Sequence, residues 1–231
     1  VDQDADFEPL PDGERSIAGQ VFFFDAVDMA ITQMFDVTGA EVFVLEDPVR
    51  RSSVDGDGNF LFENLPDGHD ITLALAHDDY FPMLTATVVL DGANIDDMTF
   101  QAVSNELARL AGLILGIDPF EPGHCQMATT VCSISDNQHT IWARGEPDTT
   151  VTLTPDPSID PVYFNTSVMP DLSLSATTTD GGVIVVNAPR GIYTWQAHKE
   201  GYTFREMRLR CEPGYATNAA PPWGVQALTE P

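Results

Sequence analysis

Asn64-Leu65-Pro66-Asp67-Gly68 and Asn187-Ala188-Pro189-Arg190-Gly191 are the same turn written twice in one chain of 231 residues. Before the first stands Asp55-Gly56-Asp57-Gly58-Asn59-Phe60-Leu61-Phe62, and after it Ile71-Thr72-Leu73-Ala74-Leu75, closing at Tyr80-Phe81. Before the second stands Thr179-Asp180-Gly181-Gly182 with the apolar run Val183-Ile184-Val185-Val186, and after it Tyr193-Thr194-Trp195-Gln196-Ala197, closing at Tyr202 and Phe204. Each block reads strand, turn, strand: glycine permits positive φ, proline presets φ in the second turn, and apolar residues on alternate positions face one core. The duplication predicts two all-β units.

Outward from these turns, Gly39-Ala40-Glu41-Val42-Phe43-Val44 through Pro48 corresponds to Asp148-Thr149-Thr150-Val151-Thr152-Leu153 through Pro157. Pro48 and Pro157 lie 109 positions apart and Pro66 and Pro189 lie 123 apart, so the second copy carries 14 additional residues. These are Ser158 to about Leu172. With Tyr163, Phe164 and Met169 among them, and with Trp223 near the C-terminus, they form the expected interaction surface, because loops that differ between copies of a scaffold carry its specialisation.

Gly19-Gln20-Val21, Gly39-Ala40-x-Val42, Asp55-Gly56-Asp57-Gly58-x-Phe60 and Asn64-Leu65-Pro66-x-Gly68 together resemble the carboxypeptidase regulatory-like domains, a branch of the transthyretin-like (prealbumin-like) β-sandwiches. The resemblance covers residues 16–103 and extends more weakly over 119–211. It implies two tandem antiparallel Greek-key β-sandwiches, joined by a short helix and used as accessory, binding or structural modules. The family shares no catalytic residues, so none is carried over. The expected organisation is an acidic extension over 1–15, sandwiches over 16–103 and 119–211, a helical linker over 104–118, and a proline-rich tail over 212–231.

The linker reads as a helix because Ser104 can cap its start and Gly116 can stop it. Leu107, Leu110, Ala111, Ile114 and Leu115 then form an apolar stripe at helical spacing, expected to pack between the sandwiches, the alternative being a partner or self-association surface. The tail is expected to wrap its own unit or to add to the edge of a neighbouring copy.

Thirty-six acidic against ten basic residues give a net charge of −26. Such a surface repels phosphate backbones and anionic membranes, so nucleic acid is excluded as a partner. No apolar run approaches the roughly 20 residues that span a bilayer. Protein partners or self-association fit the composition, carbohydrate has no motif supporting it, and the expected location is secreted, periplasmic or at the cell surface.

Asp55-x-Asp57-x-Asn59 has the alternate oxygen spacing that opens a calcium loop and makes these three the calcium candidates, but the twelfth position is Pro66 rather than glutamate, so turn chemistry is the simpler account. His124-Cys125-x-Met127 offers imidazole and sulfur for copper, with His139 or His198 as further ligands. Gly-x-Ser-x-Gly, His-Glu-x-x-His and Walker-type loops are missing, and the chain is read as non-catalytic. Of the cysteines, Cys125 and Cys132 on one straight strand would stand about 23 Å apart, so a local pair needs a turn. Cys211 with either one would tie the last strand to the start of the second unit, leaving one thiol over.

Overall fold

The computed structural model describes residues 9–25, 30–32, 39–134, 144–219 and 221–230. Its first half holds β1 (Arg15–Asp25), β2 (Ala30–Thr32), β3 (Glu41–Val44), β4 (Asp47–Ser53), β5 (Asn59–Leu65), β6 (Asp70–Ile71), β7 (Leu73–Ala76), β8 (Met83–Leu84), β9 (Val88–Val89) and β10 (Ile95–Val103). Helix α1 (Asn105–Leu115) follows. The second half holds β11 (Cys125–Cys132), β12 (Thr150–Thr154), β13 (Val162–Phe164), β14 (Pro170–Asp171), β15 (Gly182–Ala188), β16 (Gly191–His198), β17 (Thr203–Phe204), β18 (Met207–Cys211), β19 (Ala216–Ala219) and β20 (Val225–Thr229). The fold is an all-β sandwich with α1 as the one helix among the described residues.

Local chemistry forms these elements as expected in several places. In β5 the alternation puts Phe60 and Phe62 inward while Leu61 and Glu63 face out. Both duplicated turns place their asparagine in the left-handed region, Asn64 at φ 59° and Asn187 at φ 54°. Asparagine is the side chain that tolerates this best after glycine, which explains its recurrence. Ser104 caps α1 by accepting from Leu107 N at 3.1 Å, and Gly116 ends it at φ 70°.

The pairing departs from a purely antiparallel arrangement in the same way in both halves. β1 is flanked by β10 running parallel and β5 antiparallel. β11 is flanked by β19 and β20 running parallel and β15 antiparallel. β12, β16 and β18 form the facing sheet of the second half, and β4, β3, β7 and β8 that of the first.

The residues after Cys211, expected as a tail, are built into the sandwich. β19 lies between β8 and β11 and pairs parallel with both, which makes one sheet in the order β14, β13, β15, β11, β19, β8, β7, β3, β4. The register sets how this sheet is used. Met83, Ala216 and Gln126 are aligned and share one face, while Leu84, Thr217 and Met127 share the other. Met83 belongs to the first core, with Ile17, Val42, Phe60, Leu75 and Phe100. Met127 belongs to the second, with Val131, Val183, Val185, Trp195 and Leu209. The two cores therefore lie on opposite faces of one continuous sheet.

Further bonds lock the halves together. Arg208 on β18 makes a two-pronged ion pair with Asp70, at 2.7 and 2.9 Å. Arg210 faces buried Glu46 at 3.2 Å, and burial raises that carboxyl above its ordinary range against the opposing bond from Thr72 N–H. Trp223 packs against the first core and donates Nε1–H to Asp97 O at 3.0 Å, so it anchors the C-terminal segment instead of presenting a surface.

Candidate binding cleft between the linker helix and the inserted hairpin

Because the cores occupy opposite faces, the first-core face of the sheet continues beneath the second half without a facing sheet. An outward face of an antiparallel sheet is ordinarily polar. Here in-register neighbours put Ala128 beside Ile184 and beside Asn218, with Val186 and Ala216 one step away. Ala128, Ile184 and Val186 are half-buried.

Two elements enclose this floor. The first is α1, through Leu107, Ala108, Ala111 and Leu115. The second is the insertion, which folds as the hairpin β13–β14 onto the edge of β15 and bounds the floor from the side. Between roof and floor lies a cleft of about 410 Å³. Its size is that of a small-molecule site, and its walls are mostly apolar.

Backbone geometry holds both elements in place. Glycine inside a helix costs about 1 kcal/mol relative to alanine, yet Gly112 sits there because a Cβ would stand 2.6 Å from Pro119 Cδ and 2.9 Å from Ile117 O. The returning segment thus presses on the helix. In the hairpin, Asn165 Oδ1 accepts from Ser167 N at 2.9 Å, and Asn165 N donates to Met169 O at 2.8 Å. The turn so closed leaves Val168 at φ 60° on the cleft wall. A β-branched residue there stores about 1–2 kcal/mol.

The expected interaction residues divide. Phe164 and Met169 line the cleft, with the Phe164 ring against Gly182, where a Cβ would come within 2.9 Å of it. Tyr163 turns inward to the second core and its hydroxyl accepts from Val151 N at 3.0 Å. Trp223 is the anchor described above. The helix stripe divides too: Leu107, Ala111 and Leu115 face the cleft, whereas Leu110 and Ile114, expected to pack between sandwiches, are 43% and 38% exposed.

Asp180 lies on the cleft wall in the second copy of the acidic turn. Its Oδ2 accepts from Gly182 N at 3.0 Å, and burial raises its pKa against that bond. In the first copy, Asp55 accepts from Asp57 N at 2.9 Å and from Asn59 N and Nδ2 at 2.8 and 3.1 Å. Those donors hold the exposed Asp55 carboxyl below its ordinary range. Asp55, Asp57 and Asn59 are thus occupied with one another as a turn, and among the described residues no three His, Cys, Asp or Glu side chains gather as a cation cage.

Cys125 and Cys211 form a disulfide with Cα atoms 5.5 Å apart, joining the two sheets of the second half. That removes the sulfur on which the copper reading depended. Met127 is in the core, His198 Nε2 bonds Thr152 Oγ1 at 2.7 Å, and His139 lies outside the described residues. Cys132 ends the same strand as a buried thiol.

No family model matches the chain, and no curated protein matches it. Among solved structures it is similar to the Bacillus anthracis TIE protein, at 14% identity and TM-score 0.26, covering 89% of this chain and 34% of that one. It is also similar to GBS52, the minor pilin of Streptococcus agalactiae, at 9% identity and TM-score 0.29, covering 94% of this chain and 98% of that one. A third, proposed to bind carbohydrate, is from Bacteroides uniformis, at 8% identity and TM-score 0.30, covering 87% and 98%. At these scores the likenesses carry no argument about function. The chain spans about a third of the TIE protein's length.

Proposed function

We propose that this chain is a non-catalytic extracellular binding module of the transthyretin-like, carboxypeptidase regulatory-like kind, and that the cleft beneath α1 and the β13–β14 hairpin is its ligand site. The observation that carries the reading is the floor: Ala128, Ile184 and Val186 make an apolar sheet face outside either sandwich core, roofed by α1 and bounded by the β13–β14 hairpin. The strained Val168 on the same wall supports it, since strain of this kind gathers at ligand clamps. The Cys125–Cys211 disulfide supports an oxidising compartment, and no helix among the described residues is long and apolar enough to cross a membrane.

Titration with Nile red, a neutral apolar dye, tests the site. Saturable binding to the folded chain is expected, and it should be lost in Ala128→Phe, which fills the floor. Ala111→Phe does the same from the roof and serves where the first variant is misfolded by circular dichroism. Non-saturable binding, or binding untouched by either folded variant, would overturn the assignment.

A second reading is favoured by Leu113, which is 79% exposed on the outer side of α1 beside Leu110 and Ile114. That face is suited to a protein partner. With the C-terminal segment used internally, and with −26 of like charge opposing a second copy at low salt, a different protein fits it better than self-association.

A further inference from the structure

Every wall of the cleft is apolar or neutral except at one point. Among its described lining residues Asp180 alone carries an ionisable group, set beside Gly182 with the Phe164 ring on the same glycine. The duplicated turn supplies an internal comparison. Asp57 occupies the corresponding place in the first copy, 123 positions earlier as Pro66 is to Pro189, and stands exposed in a turn that Asp55 closes by accepting from Asp57 N and Asn59 N. Turn closure therefore needs no burial. Asp180 closes its turn through one bond, Oδ2 to Gly182 N–H, and is covered because the second copy adds the hairpin that brings Phe164 over Gly182.

We propose that the cleft takes an amphipathic ligand bearing a cationic nitrogen, an alkylammonium or guanidinium group, seated against the Asp180 carboxylate with its apolar body over Ala128, Ile184 and Val186. This rests on the reading of the cleft as the ligand site. A purely apolar occupant would strip the remaining water from the carboxylate and leave it unpaired, which is costly. A cationic group removes that cost and forms a charge-assisted hydrogen bond. The burial that already raises the Asp180 pKa marks how little solvent compensates it now. Arg109 lies 5.0 Å over the Phe120 ring, and Lys199, the sole lysine, pairs with Glu146. The −26 charge of the whole chain draws cations toward the mouth without selecting among them.

The test is displacement of Nile red by n-decylammonium and by 1-decanol, in about 0.5 M NaCl where screening acts within a few ångströms. The readout is the ratio of the two apparent affinities. Asp180→Asn keeps an oxygen for Gly182 N–H and removes the charge; Asp57→Asn removes an exposed charge in the first copy. The ammonium-to-decanol ratio is expected to fall about tenfold or more in Asp180→Asn, in line with hydrogen bonds to charged groups, and to hold in Asp57→Asn. A fall below about twofold in Asp180→Asn, or an equal fall in Asp57→Asn, overturns the proposal. Failure of Nile red to bind at all overturns the cleft itself, whereas dye binding without an ammonium preference overturns only the role of Asp180.

Discussion

Replacing both partners of the Cys125–Cys211 disulfide by alanine releases a constraint whose worth follows from its span. The bridge closes a loop of 86 residues. In the chain-entropy relation, −2.1 − 1.5R ln n, such a loop removes about 15 cal/mol/K from the unfolded state, or about 4.6 kcal/mol at 25 °C. Both side chains are buried, at 1% and 0% exposure, so the void left by two sulfurs adds to the loss. For a chain of this size each kcal/mol shifts Tm by about 2–4 °C, so a fall of about 9–18 °C is expected. The assay is urea and thermal unfolding by tryptophan fluorescence: Trp195 is fully buried in the second core and Trp223 rests on the first. Because β19 is shared by both halves, the two should melt together in the double variant as in the parent. The parent should release one thiol to Ellman's reagent, from Cys132, and only after denaturation. A loss under about 1 kcal/mol, or three thiols per denatured chain, would refute the reasoning.

Asp70→Asn breaks the ion pair to Arg208 across the halves; both partners are part-exposed, so about 1 kcal/mol is expected at pH 7 by denaturant unfolding. The hydrogen bond from Arg208 holds Asp70 below its ordinary pKa, so this stability is full above about pH 4 and fades as pH falls through the lowered folded value; parent and variant should converge there. Trp223→Phe deletes the bond to Asp97 O and leaves that oxygen to find another donor, at a cost of about 1 kcal/mol in urea unfolding with the second core's packing unaltered. Asp180→Asn should raise Tm at pH 7, because a carboxyl whose folded pKa is raised destabilises the fold once ionised; a lower Tm would contradict the burial argument.

Much of the scaffold was legible from local chemistry. Ser104 and Gly116 bound the helix, the two Asn-x-Pro-x-Gly turns join the expected strands, and Cys211 on β18 pairs with Cys125 on β11, one of the two partners the sequence left open to it. What sequence reasoning missed depends on partners far apart in the chain. Residues 216–219 lie between Pro213-Gly214 and Pro221-Pro222 and are too short to show a period, yet they become a strand because residues 83–84 and 126–129 supply an edge on either side. The use of opposite sheet faces depends on that same long-range register. One signal for the cleft was present: Val183-Ile184-Val185-Val186 does not alternate, and a continuous apolar run marks a strand covered on both faces. Val183 and Val185 enter the core, while Ile184 and Val186 form the floor. Phe164 and Met169 were legible through the insertion, but Asp180 looked like one more turn aspartate until the hairpin that covers it was in place.

The central claim is that an apolar ligand enters between α1 and the β13–β14 hairpin, and methyl-resolved NMR with added 1-decanol tests it most directly. Saturable shifts confined to Leu107, Leu115, Ala128, Met169, Ile184 and Val186 are the expected result. Shifts centred instead on Leu110, Leu113 and Ile114, or none that saturate, would contradict it.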